Sequence, residues 1–428
     1  MNAAVNCVPG TTRSVAGVLT TLALLLVAIR ADAQQLADDI ENLVRPHVDD
    51  GLLSGVILVA HGDDIVFQQG YGFAEWEHQV ANMPGTRLGI GSITKSFTEN
   101  VTDALLREGQ VSLTDPVEKY IAEFHRGPAG VIPTVGHLLN HRAGVPHRVT
   151  SAIDETQPMN TVAIVSRVAE QGLLFEPGSE RLYSSAGFTA LARVLEIAAN
   201  APFDQLLVRY VFGPARMTST RDESGQSLMA GRAMPYRLGA EVDRIIVKKA
   251  PYKDLGFLTG AGSVYSTAAD LRRYVDAIDK GVFGAAARAG LFGDNPNEWR
   301  GIYGRTNGYE SSVDVLPSEH MVLIILANLQ SASTGQVRAQ IQALLTGGAA
   351  ESIPLPPVVS GRFEDPQEIV GAFGRADIRL NNGDLFRGEN EFYAIEGRSY
   401  YIPASGTRMR FRRNTEGIVD ALISTSLS

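Results

Sequence analysis

Cysteine is almost absent from this 428-residue chain, which contains a single one, Cys7. Because Cys7 lies in an N-terminal segment that we expect to be removed, the mature chain has no thiol. Disulfides, zinc–thiolate sites and a cysteine nucleophile are therefore excluded, and the stability of the fold must come from its core. Lysine is scarce as well, with six in the whole chain.

Clusters of basic residues are also missing. The formal net charge is −9, and removal of residues 1–33, which carry Arg13, Arg30 and Asp32, changes it to −10. A surface of this sign repels nucleic acid, and the short basic run RFRR at 410–413 falls in a strand-like stretch. We expect no nucleic-acid partner.

No apolar run is long enough to span a bilayer comfortably, which takes about 20 residues. The longest, VAGVLTTLALLLVAI, follows Arg13 and precedes Ala31-Asp32-Ala33, a small-residue cleavage pattern. This order predicts a secretory signal at 1–33 and export to the periplasm or the medium. The alternative is a membrane anchor; after cleavage we expect no stable membrane insertion.

Apolar spacing predicts the fold class. Strand-like runs lie near both ends of the segment 34–348, at 55–71 and 311–330, around a mostly helical middle from about 115 to 280. This arrangement predicts an α+β fold, in which one antiparallel sheet is built from the two ends, with flanking helices and a helical subdomain.

The C-terminal part has a different composition. Gly, Ala and Pro interrupt the pattern at 349–361, which predicts a linker. From 362 to 428, short strand-like runs alternate with turn residues such as Asn382-Gly383 and Glu396-Gly397. We predict a small all-β domain at 362–428, whose role the pattern leaves open.

The stretch GSITKSFT at 91–98 places Ser92 and Lys95 three positions apart at the start of a predicted helix. This spacing puts both side chains on one face, and the free N–H groups of a helix N-terminus suit a developing oxyanion. Burial lowers the pKa of a lysine until its neutral amine can take the serine proton. The alternative is a serine cap beside a solvated lysine, and this stretch alone does not decide between them.

A second stretch, FEPGSERLYSSAGF, ends an extended segment at Tyr183 and then begins a helix. A phenol at the mouth of a helix can relay a proton to or from the serine or a leaving group. The alternative is an ordinary half-buried tyrosine.

Six segments occur in a family-specific order and spacing: GSITKSFT, EGQVSLTDPVEKY, HLLNHRAGV, FEPGSERLYSSAGF, GAGSVYSTAADLRRYV and YGRTNGYESSV. In this set the chain resembles the serine β-lactamase-like family over about residues 36–345. That family includes class C β-lactamases, D-alanyl-D-alanine carboxypeptidases, D-aminopeptidases and lactamase-like esterases. The resemblance implies the β-lactamase/penicillin-binding-protein-like transpeptidase fold, with Ser92 as the nucleophile and Lys95 and Tyr183 sharing the proton transfers.

Two motifs depart from the family pattern. The family's Tyr-x-Asn ends here in Ser185, a hydroxyl with shorter reach than an amide. The family's His-x-Gly or Lys-Thr-Gly becomes Arg-Thr-Asn at 305–307, followed by Gly308. We expect Ser185, Arg305 and Gly308 to contact the substrate, and the strand N–H of the oxyanion hole to lie near Asn307 or Gly308.

Arg305 keeps a permanent positive charge where the family often has a titratable group, so it can bind a substrate carboxylate but cannot act as a base. The alternative is an ion pair with Glu310. The departures weaken the case for a β-lactamase or a cell-wall carboxypeptidase.

Other candidate sites have simpler explanations. His137 and His141 lie four apart on a predicted helix, a spacing that can suit a metal, but no third ligand is near in sequence and we expect a structural role. Thr267 is the predicted cap of a helix that follows Tyr265, and neither Tyr265 nor Asp270 needs a catalytic role. We expect no metal and no organic cofactor.

The sequence predicts an exported serine hydrolase that cleaves amide, peptide or ester bonds of a small-molecule or peptide substrate through an acyl-enzyme on Ser92. The alternative is a non-catalytic, penicillin-binding-like binding or regulatory protein on the same fold, with the C-terminal β domain as its interaction module. The sequence does not give the oligomeric state.

Overall fold

The computed structural model describes residues 34–124, 126–149, 154–222, 228–241 and 244–349 and, beyond residue 370, the strands of a C-terminal sheet. The predicted signal at 1–33 and residues 350–361 of the predicted linker lie outside this part of the chain. Within it, no helix has both the length and the apolar character that crossing a membrane requires.

Strands of the region up to residue 349 are mostly short. In chain order they are β1 Gly55–His61, β2 Asp64–Tyr71, β3 Phe73–Glu75, β4 Val80–Ala81, β5 Leu88–Gly89, β6 Arg221–Asp222, β7 Tyr236–Glu241, β8 Arg244–Lys249, β9 Val264–Ser266, β10 Arg300–Thr306, β11 Tyr309–Leu316, β12 Met321–Ala327 and β13 Leu329–Gln330.

Five of these strands form the central sheet, in the order β10-β11-β12-β1-β2. Every neighbouring pair is antiparallel. β1 thus lies between β2 and β12, a strand more than 200 residues later, and the prediction of one sheet built from both ends is confirmed. β10 is an edge strand, so one side of its backbone is available to the element beside it.

Helices cover the sheet and build a separate helical part, which gives the predicted α+β class. They are α2 Thr94–Arg107, α3 Val135–Leu139, α4 Thr161–Gln171, α5 Ser185–Ala199, α6 Phe203–Leu207, α7 Ala268–Asp279, α8 Ala285–Phe292 and α9 Ala332–Leu345. A further helix, α1 at 34–49, precedes β1 in the chain.

Helix α2 belongs to the main core. Phe97, Val101 and Leu105 recur every fourth residue and are fully buried, as the helical spacing predicts. The Phe97 ring lies edge-on to Tyr274 of α7, with 4.7 Å between the ring centroids. Thr267 caps α7 as predicted, because its side chain accepts from the Asp270 N–H at 3.2 Å.

The middle of the chain is less helical than the pattern predicts. It contains the hairpin of β7 and β8, where Leu238 belongs to a small apolar cluster with Tyr236 and Leu329, and the short strands β6 and β9. Strands of two or three residues are too short to produce a periodic signal.

The C-terminal part is all-β where it is described. Its strands follow one another in a seven-stranded antiparallel sheet: β14 Gly371–Phe373, β15 Ala376–Asn381, β16 Asp384–Arg387, β17 Asn390–Ile395, β18 Ser399–Ile402, β19 Thr407–Arg413 and β20 Val419–Ser426. The predicted turns at Asn382-Gly383 and Glu396-Gly397 lie outside the described residues.

Candidate active site

Ser92 lies in a 3₁₀ turn, Gly91–Ile93, that leads directly into α2. Gly91 has φ +50°, and a Cβ at this position would lie 2.7 Å from the backbone N of Arg305 on β10. Glycine is therefore required here, both for the positive φ and for the close approach of the strand. This contact sets the start of the helix against the edge of the sheet.

Lys95 lies one turn further along and is 5% exposed. Its Nζ is 3.3 Å from Ser92 Oγ, 3.2 Å from Ser185 Oγ and 2.8 Å from the carbonyl oxygen of Ala261. The i, i+3 spacing therefore brings the serine and lysine together as predicted from the sequence.

The pKa of Lys95 is lowered to about 7, mainly by burial; the charge of Glu99 opposes this shift and the charge of Arg148 adds to it. A neutral amine has two N–H donors and one lone pair. Ser185 and Ala261 can take the two donors, which leaves the lone pair directed to Ser92. Lys95 is thus arranged as a proton acceptor near neutral pH.

Tyr183 immediately precedes Ser184, the N-cap of α5, and its hydroxyl lies 2.9 Å from Ser92 Oγ. Burial raises the pKa of Tyr183, and the hydrogen bond with Ser92 opposes this shift. The phenol is therefore protonated at neutral pH and donates to Ser92. The two side chains at the serine thus differ, since Lys95 can accept a proton near neutral pH and Tyr183 can donate one.

Two imidazoles hold the Tyr183 ring. The ring centroid of His141 is 4.6 Å away and that of His147 is 5.5 Å away. Burial lowers the pKa of His141 to about 4, and its Nδ1 accepts the Ser184 N–H at 3.1 Å. His141 is consequently neutral and orients the segment that carries Tyr183.

The two histidines of the predicted pair have separate structural contacts. His137 Nδ1 accepts the Thr134 N–H at 3.2 Å and closes the capping box of α3. In the described part of the chain, no group of three or more His, Cys, Asp or Glu residues is arranged to hold a metal ion.

Ser185 is 7% exposed and lies at the start of α5. Its hydroxyl contacts Lys95, so the residue that replaces the amide of the family motif helps to position the base. It also lines the cleft beside Ser92, where it can reach a ligand.

Arg305 lies across the hairpin of β10 and β11 from Glu310. The two side chains form an ion pair in which Arg305 is 52% exposed and Glu310 is 8% exposed. Burial raises the pKa of Glu310, and the Arg305 charge opposes this. The predicted alternative of a pair with Glu310 is therefore present, and the guanidinium is already engaged with a carboxylate.

Asn307 and Gly308 form the two-residue loop of this hairpin, with φ +37° and +87°. This is the Asn-Gly sequence that type I′ turns prefer. A Cβ on Gly308 would lie 2.8 Å from the Tyr236 carbonyl oxygen, so Gly308 faces β7, and the cleft is lined by Asn307 but not by Gly308.

The hairpin register identifies a different strand N–H. In a two-residue hairpin the closing pair, Thr306 and Tyr309, is hydrogen-bonded, and the next pair, Arg305 and Glu310, is not. The backbone N–H and C=O of Arg305 therefore point away from β11, towards Gly91. The candidate for the oxyanion-hole donor accordingly moves from Asn307 or Gly308 to Arg305.

A cleft of about 1080 Å³ opens in front of Ser92. Its helix-side wall includes Tyr183, Ser185 and Leu258, and its strand-side wall includes residues 303–307 and the start of α9. The volume is slightly above the usual range for small-molecule sites, so the cleft can hold a ligand much larger than a single acyl group.

Some parts of the site have no signal in the sequence pattern. The Ala261 carbonyl acts through its backbone, and only the Gly-Ala-Gly run around it indicates a close approach. Arg148, Arg338 and Arg387 line the same cleft although they are far apart in sequence.

Comparisons with known proteins identify the family of the chain. The family model described as beta-lactamase matches residues 40–346. PbpX of Bacillus subtilis strain 168, named as a penicillin-binding protein, is 26% identical over 306 residues, 68% of this chain and 75% of that protein. Beta-lactamase-like protein 2 of Dictyostelium discoideum is 25% identical over 259 residues, 56% of this chain and 45% of that protein, so the chain spans less than half of that relative.

Solved structures share the fold. The D-amino acid amidase of Ochrobactrum anthropi SV3 has a TM-score of 0.62 at 18% identity, covering 73% of this chain and 99% of that one. The octameric penicillin-binding protein homologue of Pyrococcus abyssi has a TM-score of 0.60 at 21% identity, covering 88% and 98%. Since the family model matches well over half of its residues, the chain belongs to the beta-lactamase family.

Proposed function

We propose that the protein is a serine hydrolase that cleaves amide or ester bonds through an acyl-enzyme on Ser92. The observation that carries this proposal is the pair of contacts at Ser92 Oγ, with Lys95 Nζ at 3.3 Å and the Tyr183 hydroxyl at 2.9 Å. A serine that contacts both a buried, neutral amine and a protonated phenol has the base and the acid that acyl transfer needs.

In the acylation step, Ser92 Oγ bonds to the carbonyl carbon of the substrate and its proton passes to Lys95. The carbonyl oxygen becomes an oxyanion, and we assign its stabilisation to the backbone N–H groups of Ser92 and Arg305. The bond to the leaving group then breaks as Tyr183 donates its proton to the leaving nitrogen or oxygen. The Lys95 ammonium replaces that proton.

In the deacylation step, water attacks the ester carbonyl, gives up a proton to the same Lys95–Tyr183 pair and releases the acid. Ser92 recovers its proton as the bond to the acyl group breaks. These steps use only side chains, backbone N–H groups and water.

Both amides and esters are proposed substrates. The names of the related proteins, a penicillin-binding protein and a D-amino acid amidase, favour amide or peptide substrates. The replacement of the family's amide by Ser185, which contacts the lysine, removes a group that could hold an acyl amide and favours esters or an unusual acyl group.

Export is part of the proposal, because the charge, apolar run and small residues at 1–33 follow the order of a secretory signal. N-terminal sequencing of the protein recovered from the periplasm or the medium would begin after residue 33 if the proposal is right. Recovery of an uncleaved chain would contradict it.

Labelling with a fluorophosphonate probe tests the proposed function. The purified mature protein should form one adduct, located by peptide mass spectrometry at Ser92. Ser96→Ala is a matched control on the same helix, since Ser96 Oγ bonds the Ile93 carbonyl at 2.8 Å rather than the base, and it should label normally. Absence of an adduct together with tight ligand binding would favour the non-catalytic alternative.

A further inference from the structure

The C-terminal sheet borders the cleft that contains Ser92. Arg387, the last residue of β16, lines this cleft. Two more contacts join the sheet to the preceding part of the chain: a Cβ on Gly406 would lie 2.8 Å from Ala332 Cβ at the start of α9, which also lines the cleft, and Lys248 Nζ is 3.4 Å from the Tyr393 hydroxyl. The sheet thus supplies part of the wall that a long substrate would touch.

The cleft has a charge opposite to that of the chain. Four arginines and one glutamate line it, a formal balance of +3, in a chain of net charge −9. A concave site lined mainly by one sign of charge attracts ligands of the other sign. The cleft therefore favours an anionic substrate.

Two of these arginines already have carboxylate partners. Arg305 pairs with Glu310. Arg338 Nη1 is 3.9 Å from Asp314 Oδ1, and its guanidinium lies over the Tyr303 ring at 4.5 Å. A substrate anion would have to compete with a buried carboxylate at either position.

The polar contact of Arg387 is with a sulfur atom and not with a carboxylate. Its Nη1 is 3.9 Å from the sulfur of Met409, which is a weak acceptor. Among the residues that the structure describes, no carboxylate pairs with Arg387. Its side chain is half-buried, so its position is restricted while its remaining donors stay open to a ligand.

We propose that Arg387 binds a carboxylate of the substrate at a point away from the scissile bond, so that the C-terminal sheet determines the preference for anionic substrates. This inference rests on the proposed hydrolase function. It transfers to Arg387 the carboxylate-binding role that the sequence pattern assigns to Arg305. The guanidinium fork suits a carboxylate because it can donate two parallel hydrogen bonds.

Matched esters test the proposal in the full mature chain. The anionic substrate is the p-nitrophenyl monoester of succinate and the neutral one is p-nitrophenyl butyrate. Arg387→Ala should lower kcat/KM for the succinate ester by about tenfold to a hundredfold, mainly through KM, with a much smaller loss on the butyrate. Arg387→Lys keeps the charge but loses the guanidinium fork, so its kcat/KM for the succinate ester should lie between those of the wild type and Arg387→Ala.

Arg408→Ala is the matched control, because Arg408 is an exposed arginine of the same sheet that does not line the cleft. It should leave both rates near wild type. Equal losses on both esters in Arg387→Ala, with Arg408→Ala normal, would overturn the proposal in favour of a structural role for Arg387.

A protection experiment separates this proposal from the proposed function and does not depend on turnover. Free succinate should slow fluorophosphonate labelling of Ser92 in the wild type, and much less in Arg387→Ala. Labelling that succinate slows equally in both proteins would overturn the carboxylate site alone. Failure of the wild type to label at all would overturn the hydrolase function.

Discussion

The helix side and the strand side of the cleft hold their cationic groups in different ways. On the helix side, Lys95 is 5% exposed, and it contacts two hydroxyl groups and one carbonyl oxygen, all of them uncharged. On the strand side, Arg305 is 52% exposed and is bound to the buried carboxylate of Glu310.

This difference determines what each cationic side chain can do. Burial with no carboxylate in hydrogen-bond contact lowers the pKa of Lys95 to about 7, although the charge of Glu99 opposes the shift, and a base requires such a pKa. An ion pair with a carboxylate keeps Arg305 charged but occupied, which leaves its backbone N–H as its main contribution. We therefore expect changes on the helix side to abolish turnover and changes on the strand side to modify it.

Ser92→Ala should have the largest effect. Removal of the nucleophile should lower kcat for p-nitrophenyl esters on the order of 10⁴-fold or more. The thermal midpoint should change little, because a serine at a helix start contributes little to stability. Substantial turnover that remains in the variant would move the nucleophile elsewhere.

Lys95→Arg should come next, with a loss of about 10³-fold, since a guanidinium stays protonated and cannot accept the serine proton. Lys119→Arg, an exchange at a half-exposed lysine that pairs with Asp115, is the matched control and should keep wild-type kcat. Near-normal rates in Lys95→Arg would show that Lys95 is not the base.

Tyr183→Phe should lower kcat by about a hundredfold, because it removes the acid that protonates the leaving group but keeps the ring between His141 and His147. The loss should be smaller for p-nitrophenyl esters than for the corresponding anilides, whose leaving groups need the proton more. The same small change on both substrates would rule out the proton-transfer role.

Arg305→Ala should have the smallest effect on kcat/KM, less than about tenfold and similar for anionic and neutral esters, since its side chain is engaged with Glu310. A loss confined to anionic esters would show that the Arg305 side chain binds the substrate carboxylate.

The stability of Arg305→Ala should depend on pH. Because burial raises the pKa of Glu310, the stability contributed by this group is present at low pH and is lost as the pH rises through the folded-state pKa. Arg305 offsets that loss. The deficit in thermal midpoint of the variant should therefore be larger at pH 8 than at pH 5, and a pH-independent deficit would contradict the ion-pair role.

The predictable parts of the site are local in sequence. Ser92 and Lys95 are three residues apart on one helix, and Thr267 caps the helix that begins at the next residue, so the helical repeat alone places their side chains. The central sheet was predictable for a related reason, since its strands are long enough to produce a clear apolar pattern.

The parts that could not be predicted depend on contacts between distant segments. The Ala261 carbonyl reaches Lys95 from 166 residues away, and Arg387 enters the cleft from the C-terminal sheet. The register at 305–308 was a missed signal, because Asn307-Gly308 between two strand-like runs is a hairpin-turn sequence. If these two residues had been identified as a turn, Gly308 would have been placed in the hairpin loop.

The proposed acylation requires a neutral Lys95, so its rate should depend on pH. The rate of fluorophosphonate labelling in the wild type should rise with pH through an apparent pKa of about 7, the value to which burial lowers the pKa of Lys95, and then level off. Lys95→Arg should lack this rise. A labelling rate that is flat from about pH 5 to 9, or that rises only near the ordinary lysine pKa of about 10.4, would show that a neutral Lys95 is not the base.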